Sequence, residues 1–193
     1  MVRPSTFVKI PKRRIGTLIG PNATTKELIE SKLGIQLDID SESGDVTIKL
    51  SPEETDPSRL FRAKETVLAI GRGFSPEKAR KLLDDEEAML IIVDLRNFVG
   101  KSESDIKRVC GRIIGREGKT RRLIEELTDT YVSVYGHTVS IIGPIEETEI
   151  ARQAVEMLIR GRLHTSVYRF LHSKRRKLKK KKMELWKKPY EKA

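Results

Sequence analysis

The sequence predicts an α+β protein in which one folding unit occurs twice, followed by a basic C-terminal tail. Three observations predict it. A constant offset lays Gly16 on Gly111, Leu18 on Ile113, Ile19 on Ile114, Gly20 on Gly115 and the run Leu28-Ile29-Glu30 on Leu123-Ile124-Glu125. The same offset carries Leu37 and Ile39 onto Val132 and Val134, so the match continues past the glycines, as an internal duplication requires. Each copy also mixes alternating apolar–polar segments, which suit a sheet with one covered face, with three-and-four apolar spacing, which suits helices packed on it.

In chain order, Thr6 to Ile10 reads as a strand and Lys12 to Gly20 as a basic approach to a turn. Leu37-Asp38-Ile39 and the segment of Val46 and Ile48 read as a hairpin with one face in water. Ser51 to Pro57, with two prolines and three acids, is a loop, and Ala63, Val67 and Ile70 mark the next helix. Gly71-Arg72-Gly73 breaks that helix and Pro76 starts a short one. A seam falls near Asp84 to Glu87, dividing residues 1–86 from 87–173. The second copy then repeats the order. Ala88 to Val93 is its first strand, Ser104 to Arg112 a charged helix, Val132-Ser133-Val134 a strand, and Val139 and Ile141 match Val46 and Ile48 with a hairpin loop two residues shorter. Ala151, Ala154, Val155 and Leu158 mark the last helix of that unit.

Composition narrows the function classes. The longest apolar run, Ala88 to Val93, is too short to cross a bilayer, and Met1 to Gly16 lacks the apolar core of a leader, so the chain is expected in the cytoplasm with no membrane partner. The single cysteine, Cys110, excludes an internal disulfide and sits on the apolar side of a helix. His137, His164 and His172 are scattered, so no metal site and no cofactor are expected. The net charge of +11 is concentrated in 174–193, where Lys174, Arg175, Arg176, Lys177 and seven further cations face two glutamates, leaving the body almost neutral. That segment reads either as a solvated tail or as a phosphate-neutralising arm without base preference.

The strongest chemistry lies at Gly111-Arg112-Ile113-Ile114-Gly115-Arg116-Glu117-Gly118-Lys119-Thr120-Arg121-Arg122. A helix, a glycine-bracketed turn and a second helix offer unpaired N–H groups and a positive dipole end beside three cations, where the dipole should favour acids. Phosphate on one side and apolar surface from Ile113 and Ile114 on the other suit a single nucleic-acid strand. Gly118-Lys119-Thr120 looks like the end of a P-loop, but Ile113 stands where that motif needs glycine and no buried strand leads in. A dinucleotide fingerprint fails on spacing, and no paired acid and base or activated nucleophile lies nearby, so no enzyme is expected.

The first copy differs at the same place. Pro21 stands opposite Arg116, Ala23 opposite Gly118 and Glu27 opposite Arg122. Proline removes an N–H, alanine resists positive φ, and Thr24 with Glu27 reads as a capping box that closes the helix on itself. This copy is therefore a structural or protein-binding unit, or one that touches RNA through Lys12, Arg13 and Arg14.

These residues resemble the KH domain, whose GxxG loop clamps about four nucleotides. The resemblance implies two type I KH domains in tandem, each a three-stranded antiparallel sheet packed by three helices. One degenerate and one intact copy, with the Tyr135-Gly-His-Thr-Val-Ser-Ile-Ile-Gly hairpin, are similar to the Partner-of-Nob or Dim-two family, a small-subunit ribosome assembly family, over roughly Phe7 to Leu171. That family implies binding of the 3′ end of small-subunit rRNA in the pre-ribosomal particle, beside the Nob-type endonuclease, with the alpha subunit of initiation factor two as a further partner. Carried over by position, Gly115 to Gly118 hold the backbone, and Ile113, Ile114 and the second sheet's edge hold bases. Krr-type assembly factors and KH subunits of RNA-degradation complexes share the paired domains.

Overall fold

The strands and helices fall where the two periodicities place them. The computed structural model describes residues 4–187. The first half comprises β1 (Ser5–Lys9), α1 (Ile15–Ile19), α2 (Thr24–Leu33), β2 (Ile35–Ile39), β3 (Asp45–Leu50) and α3 (Ser58–Gly71), followed by the one-turn helices α4 (Pro76–Ala79) and α5 (Lys81–Asp84). The second half has β4 (Ala88–Asp94), a one-turn α6 (Arg96–Val99), α7 (Glu103–Ile114), α8 (Lys119–Thr128), β5 (Tyr131–Tyr135), β6 (Thr138–Pro144), α9 (Ile145–Ile159) and α10 (His164–Lys187).

Each half holds a three-stranded antiparallel sheet, ordered β1-β3-β2 and β4-β6-β5, so the last strand of each half is central. The two registers correspond. Leu37 lies opposite Ile48 and Val8 opposite Val46, as Val132 lies opposite Ile141 and Val93 opposite Val139. The helices follow the spacing that marks them, with Ala63, Val67 and Ile70 of α3 and Ala151, Val155 and Leu158 of α9 fully buried against their own sheets.

The second sheet departs from the expectation of one wet face. β6 is buried along its length to Gly143. Val139 and Ile141 belong to the core beneath α9, whereas Ile142, on the opposite face, joins Ala79, Leu82 and Ala88 in the core of the first half. Ser133 Oγ donates to the Arg72 carbonyl across the same boundary at 2.9 Å. The seam is clasped by one side chain. Arg62 Nη1 donates to the Asp85 and Ala88 carbonyls at 3.2 and 2.7 Å, and its Nη2 to that of Glu86. The first half therefore serves as the outer layer of the second sheet.

Two further expectations are corrected. Thr24 and Glu27 form no capping box, because Thr24 is already helical (φ −58, ψ −37), so α2 starts behind Ala23 with no side-chain cap. The basic segment from Lys174 is not a separate tail up to Lys187, since α10 runs unbroken from His164. Val167 and Leu171 are buried and Leu178 continues their stripe against the second core. Lys182 Nζ meets Glu147 at 2.8 Å, and Lys181 pairs with Glu146. The remainder of the expected tail, 188–193, lies outside the described residues.

Candidate nucleic-acid interface

The second glycine turn is built by two helix ends and held from behind by a third helix. Ser102 caps α7, its hydroxyl accepting from the Asp105 N–H at 3.4 Å. α7 stops at Gly115, where the backbone turns to φ 72, ψ 174 and the N–H donates to the Gly111 carbonyl at 2.8 Å. Glu117 (φ 52, ψ 27) and Gly118 (φ 75, ψ 11) complete the turn, and α8 begins with no side-chain cap. Only glycine fits at Gly115, because a Cβ there would lie 2.2 Å from Thr120 Oγ1. Thr120 cannot yield easily: it is buried and shares a 2.9 Å hydrogen bond with the Tyr168 hydroxyl of α10.

The cations sort into presented and committed groups. Arg116 and Lys119 are exposed at the turn. Arg122 is exposed too, but Nη2 donates to the Glu117 carbonyl at 2.8 Å and braces the turn. Arg121 leans on Glu125 at 3.9 Å, and Glu125 also accepts from the Val132 N–H at 2.9 Å, tying α8 to β5. Arg112 donates to the Leu158 and Arg162 carbonyls at 3.3 and 2.8 Å, closing the C-terminus of α9. An open groove of ≈ 500 Å³ runs behind the turn, between α7 and α10, lined by Arg108, Arg112, Arg116, Lys119, His164 and Tyr168. The sequence reading missed Arg108, His164 and Tyr168. Arg108 could have been found from its i, i+4 spacing to Arg112, whereas the α10 residues arrive through tertiary packing.

On the other side of the turn, the apolar surface is narrower than expected. Ile113 is wholly buried beneath α9 and has no face to offer a base. Ile114 is 37% exposed and remains available. Cys110 is half-buried near the Gly136 carbonyl, and burial pushes its thiol above the usual range. β5 forms the sheet edge alongside.

The first copy's turn follows the same path. Gly20 (φ 75, ψ 173), Asn22 (φ 50, ψ 36) and Ala23 (φ 62, ψ 12) repeat the dihedrals of Gly115, Glu117 and Gly118. Alanine therefore adopts the left-handed conformation that it disfavours by about 1–2 kcal/mol. The copies differ in charge and in the N–H that Pro21 lacks. Of the flanking cations, Lys12 and Arg13 are exposed, with Arg13 4.7 Å above the Tyr135 ring. Arg14 is committed: Nε donates to the Ile70 carbonyl at 2.8 Å and Nη2 to that of Phe74, fixing the end of α3. On α10, Lys174 lies over Phe170 at 5.5 Å while Arg175, Arg176 and Lys177 are exposed.

Among the described residues no cluster could hold a metal, and no helix is long and apolar enough to cross a membrane. The segment leading into Gly118-Lys119-Thr120 is α7, where a P-loop needs a strand.

Three comparisons bear on this geometry. A family model described as a eukaryotic-type KH domain (KH domain type I), that of the second such domain of PNO1 proteins, matches residues 89–176. A KH domain-containing protein of Methanocaldococcus jannaschii is 48% identical over 182 residues, covering 94% of this chain and 79% of its own. Among solved structures, a protein of unknown function from Aeropyrum pernix superposes with a TM-score of 0.91 at 41% identity, covering 96% of this chain and 98% of its own. Dim2p from Pyrococcus horikoshii gives 0.80 at 48% identity over 89% of this chain and 99% of its own. A structure of the Pyrococcus horikoshii a/eIF2alpha–aDim2p–rRNA complex gives 0.85 at 46% identity, covering 91% of this chain and 96% of the matched one.

Proposed function

The chain belongs to the family of Dim2-like KH-domain proteins, and from that premise we propose that it carries two type I KH domains in tandem, meeting near residue 86, of which the second binds single-stranded RNA. The observation that carries the reading is the turn Gly115 to Gly118: an uncapped helix N-terminus beside exposed Arg116 and Lys119, locked by Thr120 against α10. Backbone N–H groups and the α8 dipole hold phosphate, and the two cations neutralise it. Bases lie against Ile114 and the β5 edge. Ile113 sets the position of α7 from within the core and makes no contact with RNA.

The target is the 3′ end of small-subunit rRNA during its maturation. A relative of this chain has been solved with a/eIF2alpha and rRNA, which supports rRNA as the ligand and the alpha subunit of initiation factor two as a partner. The Nob-type endonuclease and the pre-ribosomal particle follow from the family resemblance. The protein acts as a binding factor that positions the strand. Lys12 and Arg13 contribute at most peripheral contacts, and Arg14 is withdrawn from that role by its hydrogen bonds to the Ile70 and Phe74 carbonyls.

Crosslinking the protein to RNA in cells and sequencing the recovered fragments tests this assignment. Reads should accumulate at the 3′ end of small-subunit rRNA. Reads spread across messenger RNAs would instead favour an RNA-degradation adaptor.

A further inference from the structure

A second groove lies away from the glycine turn. It has a volume of ≈ 1260 Å³ and runs between α3, the α5–β4 connection, the start of α9 and the far end of α10. Its lining includes two of the most exposed large apolar side chains, Phe61 at 71% and Ile145 at 66%, together with the half-buried Met89 and Leu83. Isolated apolar residues are ordinary on a surface, whereas a concave set gathered from both halves is not.

In a basic protein, the groove lining carries more carboxylates than cations, with Lys32, Arg59, Arg62, Lys181 and Lys182 as its positive charges. Lys181 and Lys182 answer Glu146 and Glu147, Arg59 pairs with Glu54, Lys32 with Asp84, and Arg62 is spent on the carbonyls of the seam. Among the described residues no cation pairs with Glu86 or Glu87, while burial pushes the Glu65 carboxyl above its usual range against the opposing pull of Arg62. Glu86 and Glu87, unpaired beside bare apolar side chains, repel RNA and attract a cationic, apolar ligand. Two helical segments meet that description in principle, one from a partner and one from a second copy of this chain. The apolar stripe of α10, Val167, Leu171 and Leu178, is already docked on its own core, so a second copy offering that helix would have to give up this packing.

We propose that this groove docks a basic amphipathic helix of a protein partner, seating its apolar side chains on Phe61 and Ile145 and its lysines or arginines on Glu65, Glu86 and Glu87. The volume matches about three turns of a helix 10 Å across. Lys182 stands fourteen residues along α10 from Tyr168, about 20 Å from the contact that locks the turn. The groove and the turn can therefore be occupied together, and the proposal does not depend on the RNA reading.

The test uses the full chain and a designed helical peptide with leucines on one face and lysines on the other, followed by fluorescence anisotropy. Saturable binding is expected, weakened at least tenfold by Phe61→Asp with Ile145→Asp, and separately by Glu86→Lys with Glu87→Lys. All four positions are exposed, so circular dichroism and thermal melting should be unchanged. Arg116→Asp with Glu117→Asp should leave peptide affinity intact. Equal binding of a peptide with glutamates in place of the lysines, or equal binding by the groove variants, would overturn the proposal. So would a concentration-dependent dimer that the Phe61 and Ile145 changes abolish, since the groove would then belong to a second copy.

Discussion

Gly115 and Gly118 are both left-handed in the same turn, yet the structure asks different things of them. Around Gly118 a Cβ would meet nothing within 4 Å, and Ala23 already occupies the equivalent conformation in the first copy. Gly118→Ala should therefore cost only about 1 kcal/mol, the ordinary penalty for alanine at positive φ. Gly115→Ala should cost clearly more, about 2–4 kcal/mol, because the new Cβ displaces the Thr120 hydroxyl and breaks its bond to Tyr168. Urea unfolding of the two variants checks the order. A second residue-scale prediction concerns acid. Glu149 is held down to about 2 from its ordinary 4.5, chiefly by Arg152 and then by Gln153. Its folded pKa lies below the unfolded one, so its stabilisation is complete above about pH 4.5 and fades as pH falls towards 2. The pair is solvent-screened and contributes about 0.5 kcal/mol. Glu149→Gln should lower stability by that amount at pH 7 and by nothing at pH 2, as urea midpoints measured across that range would show.

At the scale of the element, α7 explains what the sequence disclosed and what it withheld. The helix, its glycine stop and its cations were legible because spacing and residue type are local. Which of its two adjacent apolar stripes faces inward was not. Val109 and Ile113 form one and Ile106, Cys110 and Ile114 the other, and only the position of α9 and β5 decides between them. The burial of both faces of β6 was hidden for the same reason, since its outer cover comes from the other half of the chain. α10 was misread because eleven cations in 174–193 mask a sparse apolar stripe through Val167, Leu171 and Leu178. Its far end is fixed by Lys182, whose charged form is favoured first by its hydrogen bond to Glu147. Glu147 is almost wholly buried, so Lys182→Ala leaves a carboxylate without its cation. A loss of about 1–3 kcal/mol is expected, with earlier amide exchange in the last turns of α10, and no change in exchange there would show that the ion pair does not hold the helix down. The same local logic that revealed the duplication predicts its asymmetry. Aspartates at Pro21 and Asn22 should reduce RNA affinity far less than aspartates at Arg116 and Glu117, because charge rather than backbone path separates the two turns. Equal losses, measured side by side, would mean that the first copy binds as well as the second.

Across the whole molecule, positive charge divides between the glycine turn and the exposed side of α10, while the groove at the far end of α10 carries more carboxylates than cations. The exposed cations of α10 should act through counterions without reading bases. Replacing Arg175, Arg176, Lys177, Lys179 and Lys180 by glutamine keeps Leu178 and the Lys182 pair in place. If three tail phosphates are engaged, the slope of log affinity against log salt should flatten by about two units, at about −0.7 per phosphate, with sequence preference retained. The central claim rests on the turn itself, and the most direct test is the affinity of Arg116→Asp with Glu117→Asp for single-stranded RNA, set beside its thermal melt. Both positions are exposed and Glu117 is already left-handed, a conformation aspartate accepts. Binding should weaken at least tenfold, about 1.4 kcal/mol, with melting unchanged, whereas undiminished affinity in the folded variant would place the main RNA contact elsewhere in the protein.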